Sequence, residues 1–380
     1  MSSRAFEPLT IRGTTFRNRL WVAPMCQYMC LDFDGMPGDW HLVNAGKYAA
    51  GGAGLVMVEA TGVSPEARIT SECAGIWNDA QRDGWARVVS FIHSQGAAAG
   101  MQLAHSGRKG SDYRGFTDAA GRTKPAAEGG WTPVAPSAIA CPGMDVPHEL
   151  TVAEIATIVG QFAAAAIRAV QAGFDVIEIH AAHGYLIHSF LSPLSNVRTD
   201  AYGGTLENRA RLLLEIVDAI RAVVPQTTPL FIRFSGTDWA EGGWTVEETA
   251  RVAARAAEHG ADFFDISSGG LIRDIFISVS PGYQLPLTEA VRDLGGVRAS
   301  VVGRISCASH AEEILASGRA DAVFLGRHLT ADPHFVLRAA HELGAEIDYV
   351  PLSFRAASYA AVPGRREQAA GHLPCGFRAV

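Results

Sequence analysis

Three side chains that could share one reaction centre follow each other closely in the sequence: His180, His183 and Tyr185. Two imidazoles at this spacing can both donate an N–H group to one carbonyl or nitro oxygen, which makes the β-carbon of a conjugated alkene accept hydride more readily. Tyr185 adds a phenol, and an ordinary phenol pKa of about 10 keeps it protonated at neutral pH, where it can protonate the α-carbon. The pattern therefore favours addition of a hydride and a proton across an activated carbon–carbon double bond.

The same histidine pair has two other interpretations. It could be purely structural, or His180 and His183 could ligate zinc in a metal-dependent barrel lyase or a binding protein. Zinc would require a third and a fourth ligand, and usually carboxylates behind them. Spacing alone does not choose between these interpretations and catalysis.

Two Gly-Arg pairs, Gly303-Arg304 and Gly326-Arg327, follow consecutive predicted strands towards the C-terminal end of the chain. Barrels commonly bind phosphate at this position, because glycine lets backbone N–H groups approach the anion and arginine supplies positive charge. The pairs therefore predict a phosphate site. The alternative is surface arginine after a turn.

Arg233 ends a buried strand, and a buried arginine needs a partner. It could face the N1–C2=O edge of a flavin, where a cation stabilises the negative charge of the reduced ring. The alternative is an ion pair with Glu178 or Asp265 inside the barrel. Gln102 could hydrogen-bond a pyrimidine-like edge or be satisfied by the backbone.

Cys26 and Tyr28 follow the first predicted strand. Cys26 is either a small buried hydrophobic residue or a polarizable thiol that tunes the potential of a nearby flavin. Tyr28 either lines a substrate pocket or packs against the core.

Eight apolar runs of strand length, rich in Val, Ile and Phe, would position these residues. Helix signals lie between them, and a helix, a glycine and a strand recur in that order. This alternation predicts an α/β fold, a single (β/α)8 TIM barrel with the candidate residues at its C-terminal face. The predicted strands are 20–23, 55–59, 100–103, 176–180, 230–234, 263–267, 300–303 and 322–325.

Three Ser/Thr-x-x-Glu capping boxes mark predicted helix starts. A further helix over 205–224 carries an apolar stripe that would pack on the barrel wall. The boxes are Thr151 with Glu154, Thr245 with Glu248, and Ser309 with Glu312.

Two segments depart from this alternation. Residues 5–17 predict an N-terminal hairpin that plugs the bottom of the barrel, and residues 106–150 predict a long loop after the third strand that forms a lid or pocket wall. A doubly wound fold would instead place a glycine-rich turn after its first strand, whereas the glycines at 51–54 precede a strand. We expect residues 1–380 to form one domain, with about 361–380 as a C-terminal arm or tail.

The composition excludes several classes of partner. The net charge is −7 and the basic residues are scattered, so neither nucleic acid nor a membrane surface is an expected partner. The six cysteines are widely spread, which is typical of a reducing compartment. The N-terminus lacks an apolar signal region and no run approaches the roughly 20 apolar residues of a membrane span, so we expect a cytoplasmic protein.

The sequence resembles the old yellow enzyme family of flavin ene-reductases over nearly its whole length. The longest matching segment is HAAHGYLIHSFLSPLSNVRTDAYGGTLENRARLLLEIVDAI (180–220), and the combination of Cys26 with Tyr28 resembles the bacterial xenobiotic reductase-like and thermophilic-type branch. The other segments are APMCQY (23–28), VEATGVSPEARIT (58–70), QLAHSGRK (102–109) and FLGRHLTADPHF (324–335).

This resemblance implies a cofactor and a role for each candidate residue. FMN would bind without a covalent link, NADPH or NADH would reduce it, and hydride would pass from flavin N5 to Cβ of an alkene that enters the same pocket. His180 and His183 would bind the activating group, with Tyr28 nearby, and Tyr185 would protonate Cα. The implied flavin contacts are Ala23, Pro24, Met25, Cys26 (near the reactive edge), Ala60, Gln102 and Arg233, with the amides of Gly303, Arg304, Gly326 and Arg327 on the phosphate.

The resemblance also implies a homodimer or homotetramer. In this branch an arginine or tryptophan near the C-terminus of a neighbouring subunit often enters the pocket, and Arg355 is the matching candidate. Related FMN barrels that act on nitro compounds, nitrate esters or quinones are the alternative function. The physiological substrate and the choice between NADPH and NADH are left open by the sequence.

Overall fold

The buried runs of the sequence pair edge to edge into a closed barrel of eight parallel strands. At least one helix follows every barrel strand, so the sheet is covered by helices outside and filled by side chains inside. This confirms the predicted (β/α)8 TIM barrel. The structure is a computed structural model that describes residues 3–355, so the predicted arm at about 361–380 lies outside the described residues.

Twelve strands are found in the described residues, and the barrel consists of β3, β4, β5 and β8–β12. They are β1 (Leu9–Ile11), β2 (Thr14–Phe16), β3 (Leu20–Val22), β4 (Leu55–Gly62), β5 (Ala98–Ala104), β6 (Val134–Ala135), β7 (His148–Glu149), β8 (Val176–Ala181), β9 (Leu230–Ser235), β10 (Phe263–Ser267), β11 (Ala299–Val301) and β12 (Ala322–Leu325).

Ten α-helices cover the barrel within the same residues. They are α1 (Asp39–Ala50), α2 (Asp79–Ser94), α3 (Val152–Gln171), α4 (Leu186–Leu191), α5 (Leu206–Arg221), α6 (Val246–Glu258), α7 (Leu285–Gly295), α8 (Ala308–Ala316), α9 (Arg327–Ala331) and α10 (Phe335–Glu342).

Some predicted strand ends are wrong where the chain turns. The strand predicted at 55–59 continues as β4 to Gly62, and β3 ends at Val22 before Ala23. The strand predicted at 300–303 ends at Val301, because Gly303 has φ of 133° and leaves the extended conformation.

Two of the three predicted capping boxes are confirmed. Thr151 and Thr245 each accept the backbone N–H of the glutamate three residues later, at the starts of α3 and α6. The prediction for Ser309 is wrong: α8 begins at Ala308, one residue earlier. The carboxylate of Glu312 is used elsewhere, because it accepts hydrogen bonds from the Ser3 hydroxyl and from the N-terminal backbone.

The N-terminal hairpin closes the bottom of the barrel, as predicted. Strands β1 and β2 are antiparallel, and Phe16 at the end of β2 is fully buried. Its ring lies 4.6 Å from that of Trp21 in β3 and 6.3 Å from that of Phe231 near the start of β9.

Residues 106–150 form a long, mostly irregular segment with two 3-10 turns (Gly107–Lys109 and Ala126–Glu128) and two short parallel strands, β6 and β7. Its side chains reach the loops at the carboxyl ends of the barrel strands: Arg108 donates to the carbonyl of Leu271, and Phe116 lies 5.7 Å from the ring of Tyr28. The segment therefore covers part of the barrel mouth.

Helix α3 has the length and hydropathy of a membrane span, although the sequence led us to expect no such stretch. It buries one face, including Ile155, Ile158 and Phe162, and packs against α5 and β5. A helix that buries a single apolar stripe in this way is typical of a barrel wall.

Candidate active site

The structure brings His180, His183 and Tyr185 together at the carboxyl end of β8. His180 lies within the strand, His183 adopts φ of 60° in the turn that follows, and Tyr185 precedes α4. The His180 ring lies 5.2 Å from that of His183 and 5.0 Å from that of Tyr185, and both pairs are close to perpendicular. The three side chains can therefore address one substrate group.

Hydrogen bonds assign the donor atoms of the two imidazoles. The backbone N–H of Ala182 donates to Nδ1 of His180 at 3.2 Å, which leaves the proton on Nε2. Nε2 of His183 lies 2.8 Å from the hydroxyl of Ser267. With the serine hydroxyl as the donor to Nε2, this contact fixes the orientation of the ring and leaves the proton of the neutral imidazole on Nδ1, from which it can be donated to a substrate.

Burial keeps all three groups neutral. Burial, with a smaller contribution from the nearby charge of Arg233, lowers the pKa of both His180 and His183 well below the ordinary value. Burial also raises the pKa of Tyr185 well above that of an ordinary phenol. At neutral pH the site therefore offers two neutral N–H donors and a protonated phenol.

Arg233 is paired inside the barrel, as one of the alternatives predicted. Its Nε lies 3.0 Å from a carboxylate oxygen of Asp265, its neighbour across the strand pair β9–β10. The amide of Gln102 donates to Glu178 at 2.8 Å, and burial together with the charge of Asp265 raises the pKa of Glu178 to about 8. Because Glu178 is largely protonated at neutral pH, Arg233 and Asp265 form the charged pair.

The loop after β3 brings Cys26 and Tyr28 to the same end of the barrel. Tyr28 adopts φ of 54°, and the intervening backbone N–H of Gln27 donates to the buried Glu59 at 2.9 Å. Glu59 itself lies 3.2 Å from His41. Burial raises the pKa of Cys26 well above its ordinary value, so the side chain is a thiol at neutral pH.

The two Gly-Arg pairs lie after β11 and β12, as expected for neighbouring barrel strands. Gly303 has φ of 133° and Arg304 has φ of 51°, and the exposed Arg304 side chain donates to the carbonyl of Val279. Gly326 immediately precedes α9, whose first N–H groups have no acceptor within the helix. A side-chain carbon added at Gly326 would meet only Met25 and Ala23, at 3.6 and 3.9 Å.

Arg355 is the predicted site residue at the end of the described residues. It is exposed after the last described helical turn, and its Nε donates to the carbonyl of Val350 in the same chain. A role in the pocket of a neighbouring subunit stays a prediction.

Lys109 was not predicted from the sequence as a site residue, although it ends the family-like segment QLAHSGRK (102–109). Its Nζ donates to the carbonyls of His183 and Gly270, and it lies 5.1 Å from the centre of the Tyr185 ring. Burial lowers the pKa of Lys109 to about 8. Its position in a quoted segment directly after the third strand was the one signal available from the sequence.

The sequence matches the model of the NADH:flavin oxidoreductase / NADH oxidase family over residues 4–346. The chain belongs to this family. An NADH:flavin oxidoreductase of Gibberella zeae is 46% identical over 367 residues, which cover 91% of this chain and 87% of the relative. An NADPH dehydrogenase of Geobacillus thermodenitrificans is 44% identical over 349 residues, which cover 92% of this chain and 97% of the relative.

The solved structures agree with this assignment. The old yellow enzyme homologue from Zymomonas mobilis aligns with a TM-score of 0.74 at 28% identity, over 92% of this chain and 95% of that one. The predicted resemblance to the old yellow enzyme family is therefore confirmed. Membership of this family replaces the metal-dependent lyase as the interpretation of the histidine pair. The chain is an FMN-dependent oxidoreductase that uses NADH or NADPH and acts on small molecules.

The residues at the barrel mouth have the chemistry needed to bind FMN. Gln102 donates its Nε2 hydrogen to Glu178, which leaves the amide oxygen to accept from a ring N–H. The second carboxyl oxygen of Glu178 is buried without a hydrogen-bond partner among the described residues. The space around Gly326 and the N-terminus of α9 suit a phosphate, which needs close approach to backbone N–H groups.

Proposed function

We propose that this enzyme reduces activated carbon–carbon double bonds of α,β-unsaturated carbonyl and nitro compounds. One observation carries the proposal: two neutral histidines and a protonated tyrosine surround one point at the carboxyl end of β8. Hydrogen-bond donors that stay uncharged suit a neutral carbonyl or nitro oxygen, on which negative charge develops only during the reaction.

The residues divide the chemistry between them. Bound FMN supplies the hydride that arrives at Cβ of the substrate. His180 and His183 donate hydrogen bonds to the activating oxygen and hold the negative charge that builds up there. Tyr185 gives its phenolic proton to Cα, so that one hydride and one proton are added and the double bond becomes a single bond.

We propose the following cofactor contacts for the same site. The loop after β3 and the residues inside β4, β5 and β9 would lie against the flavin ring, and Cys26 would influence its potential as a neutral thiol. Tyr28 would border the substrate. The ring contacts are Ala23, Pro24, Met25, Cys26, Ala60, Gln102 and Arg233, and the phosphate contacts are the backbone N–H groups of Gly303, Arg304, Gly326 and Arg327.

We also propose that residues 1–380 form one cytoplasmic domain that assembles as a homodimer or homotetramer. The closed barrel supports a single domain, as does one cluster of buried apolar side chains that includes residues from Ala5 to Ala339. In the assembly, the partner subunit's Arg355 would enter the substrate pocket. Sedimentation velocity of the wild type, together with substrate KM for Arg355→Ala, tests both statements. A monomeric enzyme, or a variant with unchanged KM, would contradict them.

An anaerobic absorbance spectrum tests the function directly. We expect a flavin spectrum that bleaches when NADPH is added and returns when 2-cyclohexenone follows. A return with a quinone, or with a nitro compound that has no conjugated double bond, but not with the enone would replace alkene reduction by the alternative function. A flavin that the nicotinamide nucleotide reduces but that no acceptor of these classes reoxidises would contradict the proposal.

A further inference from the structure

A buried histidine–aspartate pair, His188 and Asp238, lies directly behind the turn that carries His183 and Tyr185. Nε2 of His188 lies 3.0 Å from Oδ1 of Asp238, and both side chains are 0% exposed. Nδ1 of His188 accepts the backbone N–H of Gly184 at 2.9 Å. The pair therefore connects the loop after β9 to the residue between the two proposed active-site side chains.

Both backbone polar groups of Gly184 are held by side chains of α4. His188 accepts its N–H, and the hydroxyl of Ser189 donates to its carbonyl at 3.1 Å. Gly184 has φ of 73°, and an added side-chain carbon would lie 2.5 Å from the carbonyl oxygen of Gly270. The turn is therefore fixed in a left-handed conformation that glycine adopts readily, with His183 directly before Gly184 and Tyr185 directly after it.

The orientation of the carboxylate is fixed independently of the histidine. Oδ2 of Asp238 accepts from the hydroxyl of Ser192 at 2.6 Å and from the backbone N–H of Trp244 at 2.8 Å. Neither Oδ1 of Asp238 nor Nε2 of His188 makes a hydrogen bond of ordinary geometry in residues 3–355, and the 3.0 Å approach between them is the close polar contact of both atoms. Because Nδ1 of His188 accepts the N–H of Gly184, the imidazole proton lies on Nε2 and faces the carboxylate.

We propose that His188 and Asp238 are positioning residues that hold His183 and Tyr185 in register for proton and hydride addition to the substrate. This inference rests on the proposed function of that site. The carboxylate sets the tautomer of His188, the tautomer supplies the acceptor for Gly184, and Gly184 sets the two neighbouring side chains. The pair touches neither substrate nor cofactor.

Two substitutions at His188 separate the two ends of this connection. Asparagine in His188→Asn offers an oxygen near the position of Nδ1, so it retains the acceptor for Gly184 and loses the link to Asp238. Glutamine in His188→Gln can reach Asp238 with its amide nitrogen and loses the acceptor for Gly184. We therefore expect His188→Asn to work nearly like the wild type and His188→Gln to be impaired.

Asp238→Asn provides a test that leaves the imidazole in place. The asparagine oxygen would stay at the Oδ2 position, where two donors hold it, and its NH2 group would then face Nε2 of His188. The imidazole would have to move its proton to Nδ1, which removes the acceptor for Gly184. Asp238→Asn should therefore resemble His188→Gln and not His188→Asn.

The FMN-loaded variants are compared by anaerobic stopped-flow absorbance and by titration with phenol. A displacement of about 1 Å in reacting groups can cost about 100-fold in rate, so we expect His188→Gln and Asp238→Asn to slow flavin reoxidation by an enone about 10- to 100-fold. Phenol binding should weaken in the same two variants. Equal effects of His188→Gln and His188→Asn would overturn the proposal, because loss of packing alone would affect both.

Two further measurements keep the inference independent of folding and of the proposed proton donor. The 15N chemical shifts of His188 in the wild type should show a protonated Nε2 and an unprotonated Nδ1, and the opposite tautomer would overturn the proposal.

In the Tyr185→Phe background, His188→Gln should slow reoxidation by a smaller factor than in the wild type, whereas an unchanged factor would count against action through Tyr185. If Tyr185→Phe itself reoxidises at the wild-type rate, the proton-donor assignment fails, but weaker phenol binding by His188→Gln would still support positioning of His183.

Discussion

The side chains at the barrel mouth owe their chemistry to the protonation states that burial imposes. His180, His183 and Tyr185 are all held neutral, and Glu178 retains a proton at neutral pH. Residue types alone indicate which atoms can donate or accept, but the direction of each pKa shift depends on desolvation and on neighbouring charges. At the residue scale, the site is therefore a set of neutral donors around the Arg233–Asp265 ion pair.

Tyr185→Phe tests the proposed proton donor. The change removes the phenolic proton and keeps the ring, so we expect flavin reoxidation by 2-cyclohexenone to slow by about 100-fold, within the range of general acid catalysis. Reduction of FMN by NADPH should be nearly unaffected, because that step needs no proton from Tyr185. Stopped-flow absorbance measures the two half-reactions separately, and equal slowing of both would contradict the assignment.

Glu178→Gln tests the protonation state inside the barrel. Burial, followed by the charge of Asp265, raises the pKa of Glu178 from 4.5 to about 8 in the folded protein. The folded state then binds this proton more tightly than the unfolded chain does, so the contribution of Glu178 to stability is present at low pH and is lost as pH rises towards 8. Glutamine cannot titrate, so we expect the wild type to lose stability relative to the variant between pH 5 and pH 8.

Urea unfolding of the FMN-loaded proteins at several pH values measures this difference. We expect a change of about 4 kcal/mol across the interval, since each unit of pKa difference corresponds to about 1.4 kcal/mol. The exposed Glu258→Gln serves as the control and should follow the wild type. A wild type and a Glu178→Gln variant with parallel pH profiles would show that Glu178 is ionised in the folded protein at neutral pH.

Loops that start at the carboxyl ends of strands carry most of the unusual backbone of the site. Tyr28, His183 and Arg304 all have positive φ and follow β3, β8 and β11. Such conformations are costly for residues with a side chain, and they persist where surrounding structure holds them. Helix caps, in contrast, are low in energy, because they satisfy backbone groups at the end of a helix. They thereby fix the residue at which helix and loop meet.

Thr151→Ala and Ser309→Ala form a matched pair at the element scale. Thr151 accepts from the N–H of Glu154 at the start of α3, and its own N–H donates to the Glu154 carboxylate at 2.7 Å. Its loss should lower the free energy of unfolding by about 1 kcal/mol. Ser309 lies inside α8 and caps nothing, so Ser309→Ala should change stability by less than about 0.5 kcal/mol. Urea denaturation compares the two, and equal losses would show that Ser309 caps α8 after all.

Closure of the barrel is what turns separated segments into one site. The pairing of β12 with β3 brings the Gly326 region beside the loop that carries Ala23, Met25 and Cys26, although these residues lie far apart in the chain. The N-terminal hairpin fills the other end with Phe16, packed on Trp21 and Phe231. At the scale of the molecule, the hairpin closes the bottom of the barrel and stabilises it, and the carboxyl ends of the strands carry the active site.

Phe16→Ala tests the contribution of this plug. Removal of a fully buried phenylalanine leaves a cavity, and we expect a loss of about 3–5 kcal/mol in the free energy of unfolding. Phe276→Ala is the control, because Phe276 is 91% exposed and should change stability by less than about 0.5 kcal/mol. Chemical denaturation followed by tryptophan fluorescence measures both, and a small effect of Phe16→Ala would mean that the hairpin does not seal the core.

Local patterns in the sequence determined the alternation of strands and helices, two capping boxes and the grouping of His180, His183 and Tyr185. These features depend on residues a few positions apart, so propensity and periodicity suffice to predict them. Pairing of Arg233 with Asp265, the place of Lys109 and the connection from Asp238 through His188 to Gly184 were decided by the tertiary structure. The tertiary structure also decided that Ser309 and Glu312 form no capping box, because the carboxylate of Glu312 accepts hydrogen bonds from the N-terminal segment. Such contacts join segments that are distant in the chain, and only the register of the closed barrel decides which side chains meet.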